Sequence, residues 1–380
     1  MRRHTATLVA ASVALFVVGF LGAGPRAQAQ APAQAQAPLS LPARLSDAEF
    51  WQLTEDLSEP NGYFQSDNFL SNETGYQGVI SKLVERVKPG GVYMGVAPEI
   101  NFTYMAAVKP KMAFIVDIRR GNLHEHLLYK ALFEMSADRA DFLSRLFSRK
   151  RPAGLTATST AQELFAAYNT VPPVEELYQE NFKAVVDWLT KKHEFKLRVD
   201  DPDGIDYVYR TAFFNGGPQL NYQFGSGSMR GGGRNSPTYE TLQASTTDEH
   251  GVNRSFLAND ENFQWVKDFQ SKNLLVPLVG NFGGPKVIRA VGNYVRDHGG
   301  TVTTFYLSNV EQYLWQGGIW EPFCASVATV PLDDTSTFIF TGRGGINNFS
   351  GGSGRGGFGG NLGTSLWRPM LSEATACAGK

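Results

Sequence analysis

Polar side chains follow four short apolar segments of the chain, and they are the residues best suited to bind a ligand. They lie in residues 95–101, 117–122, 280–284 and 308–311. If the apolar segments are strands of one parallel sheet, these polar segments meet outside its carboxyl edge, where open α/β sheets bind ligands. The spacing therefore predicts one binding cleft built from four loops.

Asp117 ends the second apolar segment, which is the position of a ribose-binding acid. A carboxylate there accepts hydrogen bonds from both ribose hydroxyls, about 20 residues after the first loop of a nucleotide-binding unit. Arg119 and Arg120 follow, and a guanidinium can hold a carboxylate or phosphate through two parallel hydrogen bonds. Two alternatives remain open. Asp117 either pairs with one of these arginines or caps the next helix, and the arginines form a solvated or structurally paired basic turn.

The first polar loop, with the sequence GVAPEIN, differs from a phosphate-binding loop. It has one glycine, and Pro98 and Glu99 stand where a G-x-G-x-x-G turn needs small residues, so backbone amides cannot approach a pyrophosphate freely. S-adenosylmethionine (SAM) carries no phosphate and tolerates such a loop better, although Pro98 also removes a donor. The candidate cofactor-binding residues are Gly95, Ala97, Glu99, Asn101, Asp117 and Arg119.

The third polar loop, GNFGG, offers an amide from Asn281 and an aromatic wall from Phe282 inside a tight turn. The alternative is a strand-to-helix turn that holds no ligand. No metal site is predicted, because the two histidines of His124-Glu125-His126 are two residues apart and do not face one site on a helix. No catalytic residue is assigned. The candidate substrate-binding residues are Arg120, Asn281, Phe282 and Asn309.

Two strand–helix–strand units are predicted to position these loops. The first comprises a strand at 92–96, a loop at 97–102, a helix at 103–108 and a strand at 112–118. The second comprises a strand at 274–279, a helix at 286–298 and a strand at 301–307. Strand–helix alternation of this kind predicts an α/β fold with a doubly wound, mostly parallel sheet.

Further elements are predicted around these units. A capping box of Ser46 and Glu49 starts a helix over 45–57. Other helices are predicted at 75–87, 122–149 and 259–272, and a helical insertion at 150–200 with its clearest helix at 175–193. Residues 205–214 are β-rich in composition, residues 225–236 form a Gly/Ser/Arg loop, and residues 325–331 and 336–340 are candidate strands that would close the sheet.

The first 40 residues read as an export signal and a spacer. A basic start, an uncharged apolar run and the small residues Ala27 and Ala29 match a signal peptide over residues 1–29. An Ala/Gln/Pro-rich linker follows at 30–40. The predicted location is periplasmic or extracellular, with no membrane span in the mature chain. The alternative is an uncleaved N-terminal anchor, because the apolar run is long enough to cross a bilayer.

The rest of the chain is assigned to one α/β domain at 41–341, a Gly-rich flexible loop at 342–363 and a tail at 364–380. Cys324 and Cys377 either form one disulfide, as exported proteins permit, or remain two thiols. A formal net charge of −1 gives no electrostatic case for nucleic acid. A small-molecule ligand is therefore the expected partner, and the oligomeric state is left open.

Three stretches carry a resemblance to a known group of proteins. They begin at residues 92, 132 and 276 with the sequences VYMGVAPEINF, LFEMSADRADF and VPLVGNFGGPKV. Over roughly residues 45–340 the chain resembles an uncharacterised bacterial family with a class I SAM-dependent methyltransferase-like Rossmann fold. The resemblance implies that fold, with 95–101 as the SAM loop and Asp117 as the ribose acid. Asn281 stands where an acid is common in methyltransferases, which argues against a general base there.

Three functions follow from these observations. The first is a SAM-dependent methyltransferase. The second is a non-catalytic descendant that binds a small molecule or a partner outside the cytoplasm. The third is an extracytoplasmic enzyme of another class that uses Glu99, Asp117 and Arg119 as polar groups. The second is favoured, because SAM is kept in the cytoplasm and the first loop has few glycines.

Overall fold

The structure, a computed structural model, describes residues 40–222, 236–341 and 365–378. The predicted signal peptide and nearly all of the linker lie outside the described residues. So do nearly all of the Gly/Ser/Arg loop and the Gly-rich segment. In the described part of the chain, no helix is long and apolar enough to cross a membrane.

The described residues form a mixed α/β fold around one six-stranded sheet. The strands are β1 Val92–Gly95, β2 Met112–Asp117, β3 Leu275–Val279, β4 Val302–Ser308, β5 Thr337–Thr341 and β6 Ser365–Pro369. Their order in the sheet is β3-β2-β1-β4-β5-β6, and only β6 runs antiparallel to its neighbour. Every residue of β1, β2 and β3 is buried, as expected for parallel strands that are covered on both faces.

The strand order reverses beside β1. The chain passes from β1 to β2 to β3 in one direction and then returns to place β4 on the other side of β1. Val92 of β1 consequently pairs with Met112 of β2 and with Val302 of β4. Connections leave β1 and β4 in opposite directions, so a crevice opens between their carboxyl ends.

Thirteen α-helices occur within the described ranges. They are α1 Asp47–Leu57, α2 Ile80–Arg86, α3 Ile100–Val108, α4 Arg120–Met135, α5 Arg139–Phe147, α6 Ala161–Asn169, α7 Glu175–Asp187, α8 Asp201–Val208, α9 Asp260–Ser271, α10 Val287–Asp297, α11 Val310–Gln316, α12 Trp320–Val327 and α13 Met370–Ala378. The capping box is confirmed: Ser46 accepts a hydrogen bond from the Glu49 N–H at 3.2 Å, and Glu49 accepts one from the Ser46 N–H at 2.8 Å. Both strand–helix–strand units are confirmed, as β1-α3-β2 and β3-α10-β4.

The predicted β-rich segment at 205–214 is wrong, because it is helical. It forms most of α8 and a π-helical turn, Tyr209–Phe214. The buried residues recur with helical spacing and pack towards α4 and α5; they are Ile205, Val208, Tyr209, Ala212 and Phe213. Their β-branched and aromatic character therefore reflects burial of one helix face and not pairing in a sheet.

Three further predictions need correction. The helix predicted at 122–149 is broken, because Asp138 accepts a hydrogen bond from the Asp141 N–H at 2.8 Å and starts α5 as a new helix. The loop predicted at 97–102 is shorter, because α3 begins at Ile100. Pro98 fits there, since the residues before a first turn need no N–H donor. The strand predicted at 325–331 begins in α12, whose buried residues recur every three to four positions.

The C-terminal elements were not predicted. β6 extends the sheet beside β5, and α13 packs on α12. Cys324 of α12 and Cys377 of α13 form a disulfide, with their Cα atoms 5.3 Å apart. Of the two alternatives in the sequence, the structure therefore has the disulfide, which holds the last helix against the domain.

Candidate functional site

A cleft opens at the carboxyl ends of β1, β2, β3 and β4, where the strand order reverses. Its empty volume is about 730 Å³, part of which is open to solvent. We call it the main cleft. Its lining residues are Phe64, Asn68, Val96, Ala97, Asp117, Ile118, Arg119, Asn281, Phe282, Ser308, Asn309, Val310, Tyr313, Leu314 and Ile319. All four polar segments predicted from the sequence contribute to this wall.

Six of the ten candidate residues line the main cleft: Ala97, Asp117, Arg119, Asn281, Phe282 and Asn309. The other four do not, and they are Gly95, Glu99, Asn101 and Arg120. Each of these four lies behind the cleft wall or is bound to the protein itself, so we do not assign them ligand contacts.

Asn101 shapes the first loop from behind. Its side-chain amide donates hydrogen bonds to the carbonyls of Val96 and Ala97 at 2.9 Å and Pro98 at 2.8 Å, and its oxygen accepts one from the Tyr93 hydroxyl at 2.8 Å. The side chain is fully buried. Gly95 lies against it, and a larger residue at position 95 would collide with the Asn101 amide. Both residues thus position the loop.

Three residues of the cleft wall adopt the left-handed backbone conformation although they are not glycine. They are Asn68 (φ 48°), Ala97 (φ 63°) and Ser308 (φ 50°). Ala97 is held by two side chains, since its carbonyl accepts from Asn101 and lies 3.2 Å from Nε2 of His126. Burial lowers the pKa of His126 to about 4, so a neutral ring serves as donor. Such strained positions concentrate at functional sites.

Glu99 and Glu125 form a buried acidic pair behind the first loop. Burial raises the pKa of Glu99 to about 8, and the backbone N–H groups of Glu99 and Ser71 offset this only in part. Neither carboxyl oxygen of Glu99 reaches hydrogen-bond geometry with a partner in the described part of the chain. Burial, and next the charge of Glu99, raises the pKa of Glu125. At neutral pH the pair therefore holds protons and adds little charge to the cleft.

Arg120 is bound inside the protein. Its Nε donates to Oδ1 of Asp201 at 2.6 Å and its Nη2 to Oδ2 at 2.7 Å, and both side chains are buried. Nε2 of His124 also lies 2.8 Å from Oδ1 of Asp201. The guanidinium thus fastens α4 to α8, and Arg120, predicted as a substrate-binding residue, does not line the main cleft.

Asp117 and Arg119 pair with each other at the end of β2. Oδ1 of Asp117 accepts from the backbone N–H of Arg119 at 2.9 Å and from its Nε at 3.2 Å, and Oδ2 accepts from Nη2 at 3.3 Å. Arg119 also donates to the Asp67 carbonyl. This is the pairing that the sequence left as the alternative. Both side chains still line the main cleft.

A side chain of the protein, Glu59, occupies the amino terminus of α10. The Glu59 carboxylate accepts hydrogen bonds from the backbone N–H groups of Asn281, Lys286 and Val287 at 2.9 to 3.0 Å. A helix start of this kind otherwise attracts phosphate. Since an acidic side chain occupies it, a phosphate group has no place at this edge of the cleft.

A comparison with protein-family models identifies the family of this chain. Residues 68–350 match the model of a domain of unknown function, DUF7790. The chain belongs to the DUF7790 family. The matched region contains all four loops that meet at the main cleft. No curated protein matches the chain.

In this DUF7790 member, a smaller chamber adjoins the main cleft. We call it the side chamber. It has an empty volume of about 370 Å³ and shares six residues with the main cleft: Phe64, Asn68, Ala97, Ser308, Asn309 and Tyr313. Its remaining walls are Leu70, Ser71, Asn72, Tyr222 and Tyr306. Phe64 and Tyr313 meet edge to face, with ring centroids 4.9 Å apart, along the shared wall.

Sequence reasoning missed several cleft residues of this family member. Phe64 and Asn68 belong to a segment without periodic pattern between α1 and α2, and Tyr313, Leu314 and Ile319 lie in or after the short helix α11. The Pro60-Asn61-Gly62 turn marks where the first segment begins, but nothing in the sequence shows that it folds over the strand ends. Among the described residues, no group of three or more His, Cys, Asp or Glu side chains is arranged to hold a metal.

Proposed function

We propose that this protein binds a small molecule without a phosphate group in the main cleft, and that it acts as a binding protein and not as a catalyst. The observation that carries the proposal is the convergence of four strand-end loops on one open cleft at the reversal of strand order. Nine of the fifteen lining residues are apolar or aromatic, and six are polar or charged. This composition is typical of small-molecule sites.

The chemistry of the wall supports a ligand that is neither a nucleotide nor a dinucleotide. Glu59 fills the helix start beside Asn281, and the amide of Asn101 and the ring of His126 tie back the first loop. Arg119, the cation that lines the main cleft among the described residues, is engaged by Asp117. Phe282 and Ile118 instead offer flat and aliphatic surface to the body of a ligand.

We further propose that the sheet is a doubly wound, Rossmann-like sheet of the methyltransferase type, with a helical insertion. The strand order and the antiparallel last strand support this. A SAM-dependent methyltransferase is the second candidate function, because Asp117 ends β2 at the ribose position. Its pairing with Arg119 and the amide at Asn281 favour binding without methyl transfer. An extracytoplasmic enzyme of another class has no additional observation in its support.

We also propose that the protein is exported. The disulfide between Cys324 and Cys377 supports this, because structural disulfides persist in oxidising compartments. The signal-like residues 1–29 point the same way. Recovery of the protein from a periplasmic or culture-medium fraction, with a chain starting near residue 30, is the expected result of fractionation. A full-length chain in the cytoplasm would contradict it.

Calorimetric titration decides between the two candidate functions. SAM and S-adenosylhomocysteine are titrated into the purified protein and into its Asp117→Ala variant, with ATP and NAD⁺ as phosphate-bearing comparators. Micromolar binding of an adenosyl probe that is lost in Asp117→Ala would establish a SAM site and reopen the methyltransferase reading. Absence of heat from both adenosyl probes would remove that reading.

A crystallographic fragment screen then tests the binding function itself. We expect phosphate-free fragments with an aromatic or aliphatic body to occupy the main cleft. Asn309→Trp fills the cleft from an exposed position and should abolish occupancy, whereas Asn293→Trp, at an exposed position on α10 outside the cleft wall, should not. A screen in which fragments bind elsewhere but none enters the cleft would refute the proposed function.

A further inference from the structure

Two hydroxyl groups in the wall of the side chamber, those of Tyr306 and Ser308, already donate their hydrogens to Glu73. The Tyr306 hydroxyl donates to Oε1 of Glu73 at 2.9 Å, and the Ser308 hydroxyl donates to the same oxygen. A hydroxyl has one hydrogen and two lone pairs. Because Glu73 takes the hydrogen in both cases, Tyr306 and Ser308 can only accept hydrogen bonds from a ligand in the chamber.

Glu73 gives this wall a negative character. It is 1% exposed and lies behind Tyr306 and Ser308, where it also accepts from the Ser365 hydroxyl at 3.1 Å. Burial, and next the charge of Glu73, raises the pKa of Tyr306 well above its ordinary value. Because the Glu73 carboxylate lies directly behind these two hydroxyl groups, it favours a cation over an anion in the chamber.

A positive charge is missing from the described walls. No lysine, arginine or histidine lines the side chamber in the parts of the chain that the structure describes. In the adjoining main cleft, Arg119 is neutralised by Asp117. Oδ1 of Asn68, at the boundary of the two cavities, is a buried acceptor with no hydrogen-bond partner among the described residues. Tyr306, Ser308 and Asn68 thus present three acceptor oxygens to this surface.

Aromatic rings complete the chamber. Phe64, Tyr222, Tyr306 and Tyr313 all contribute to its wall. Ring faces attract organic cations, and aromatic walls combined with acceptor groups are a recurrent means of holding an ammonium group. Since six residues line both cavities, the side chamber and the main cleft adjoin, and a ligand of two parts would place one end in each cavity.

We propose that the side chamber binds an organic ammonium group whose apolar body lies in the main cleft. This inference rests on the proposed function and names its ligand class: an amine with an aromatic or aliphatic body. The ammonium donates to Tyr306, Ser308 and Asn68, while Phe282 and Ile118 cover the body. A carboxylate ligand would be repelled by the acceptor oxygens of the wall and by the charge of Glu73, so we expect it to bind weakly.

Three probes that differ in one functional group test the inference by calorimetry at neutral pH. They are 2-phenylethylamine, 2-phenylethanol and phenylacetate. We expect the amine to bind about ten-fold tighter than the alcohol, and phenylacetate to bind weakest. Equal binding of amine and alcohol, tighter binding of phenylacetate, or binding of none of the three would overturn the inference.

Two variants locate the preference in the side chamber. Glu73→Gln retains the shape of the acid and should reduce the advantage of the amine over the alcohol to about two-fold or less. Because a buried substitution can impair folding, Tyr222→Leu provides a second test at a half-buried position and should weaken the amine more than the alcohol. An amine advantage unchanged in both folded variants would overturn the inference, whereas an empty main cleft in the fragment screen would refute the proposed function itself.

Discussion

The carboxylate of Glu59 lies against the loop that carries Asn281 and accepts a hydrogen bond from the Asn281 backbone N–H at 3.0 Å. Its other oxygen accepts from the N–H groups of Lys286 and Val287, where α10 begins. An acidic side chain thus satisfies donors that a helix start usually leaves for water or for a bound anion. In this protein the Glu59 carboxylate therefore occupies the position where a phosphate group would bind best.

Replacement of Glu59 should destabilise the protein and open an anion site. In Glu59→Ala, three backbone N–H groups lose a charged acceptor, so we expect the free energy of unfolding to fall by about 1–3 kcal/mol. Added inorganic phosphate should restore part of this loss in the variant, because it can accept from the same donors. The measurement is chemical denaturation with and without phosphate at constant ionic strength.

Glu180→Ala, at an exposed position on α7, is the matched control and should respond like the wild type. Equal stabilisation of Glu59→Ala and Glu180→Ala by phosphate would show that the helix start does not accept an anion.

The sequence predicted the sheet better than it predicted the helices around it. Strands β1, β2 and β3 are fully buried and mostly apolar, and β4 and β5 are mostly buried, so their residues stand out as short runs between turns. Residues 205–214 were wrongly predicted as β-rich, because a helix with one buried face can contain the same β-branched and aromatic residues as a strand. β6 is half-exposed and follows a Gly-rich segment, so it gave no strand signal.

For the site, the sequence predicted the loops but not the direction of each side chain. Asp117 and Asn281 lie in the cleft wall because strand ends converge at one edge. Arg120, one residue after Arg119, points away to Asp201, which is 81 residues later in the chain. A pairing over such a sequence distance depends on the tertiary fold, so the local sequence around Arg120 does not predict it.

Glu99 should make the stability of the protein depend on pH. Its pKa is about 8 in the folded protein, against an ordinary value of 4.5, so between these values the folded state holds a proton that the unfolded state has lost. Stability therefore falls as pH rises from about 4.5 to about 8, by up to about 1.4 kcal/mol per pH unit for this group, and levels off above. Glu99→Gln removes this contribution and should be more stable than the wild type at pH 8.

The test is denaturation at several pH values for Glu99→Gln, the wild type and Glu180→Gln. Glu125, whose pKa burial also raises, retains its own contribution in the first variant, so the slope should diminish and not vanish. Parallel pH profiles for Glu99→Gln and the wild type would mean that Glu99 is ionised in the folded protein at neutral pH.

The disulfide between Cys324 and Cys377 should hold the C-terminal elements to the domain. It closes a loop across a sequence separation of 53 and connects α12 with α13. Cys324→Ser combined with Cys377→Ser should lower the free energy of unfolding by about 2–4 kcal/mol, because the unfolded chain gains freedom. A reductant should lower the melting temperature of the wild type and leave that of the double variant unchanged. An equal response of both proteins would contradict a structural role for the bond.

The bidentate pair of Arg120 and Asp201 should be a principal tie between α4 and α8. Asp201 is fully buried, and its pKa is held below the ordinary range: burial opposes this, but the hydrogen bonds from Arg120 and His124 outweigh burial. Asp201→Asn removes the bidentate partner of a buried guanidinium and leaves it only the Glu55 carboxylate at 3.5 Å, so we expect a loss of about 3–5 kcal/mol in the free energy of unfolding.

A second ion pair provides the comparison for Asp201. Arg210 and Glu175 are joined at 2.7 Å on the surface, so Glu175→Gln should change stability little, because solvent screens an exposed pair. The decisive quantity is the difference between the two losses in the free energy of unfolding, because each variant neutralises one carboxylate that pairs with an arginine. Similar losses in the two variants would show that burial of Asp201 does not set its contribution. A large loss in Asp201→Asn alone would establish that Arg120 is a structural residue that fixes α4 behind the main cleft, where the neighbouring Arg119 and Asp117 form part of the wall.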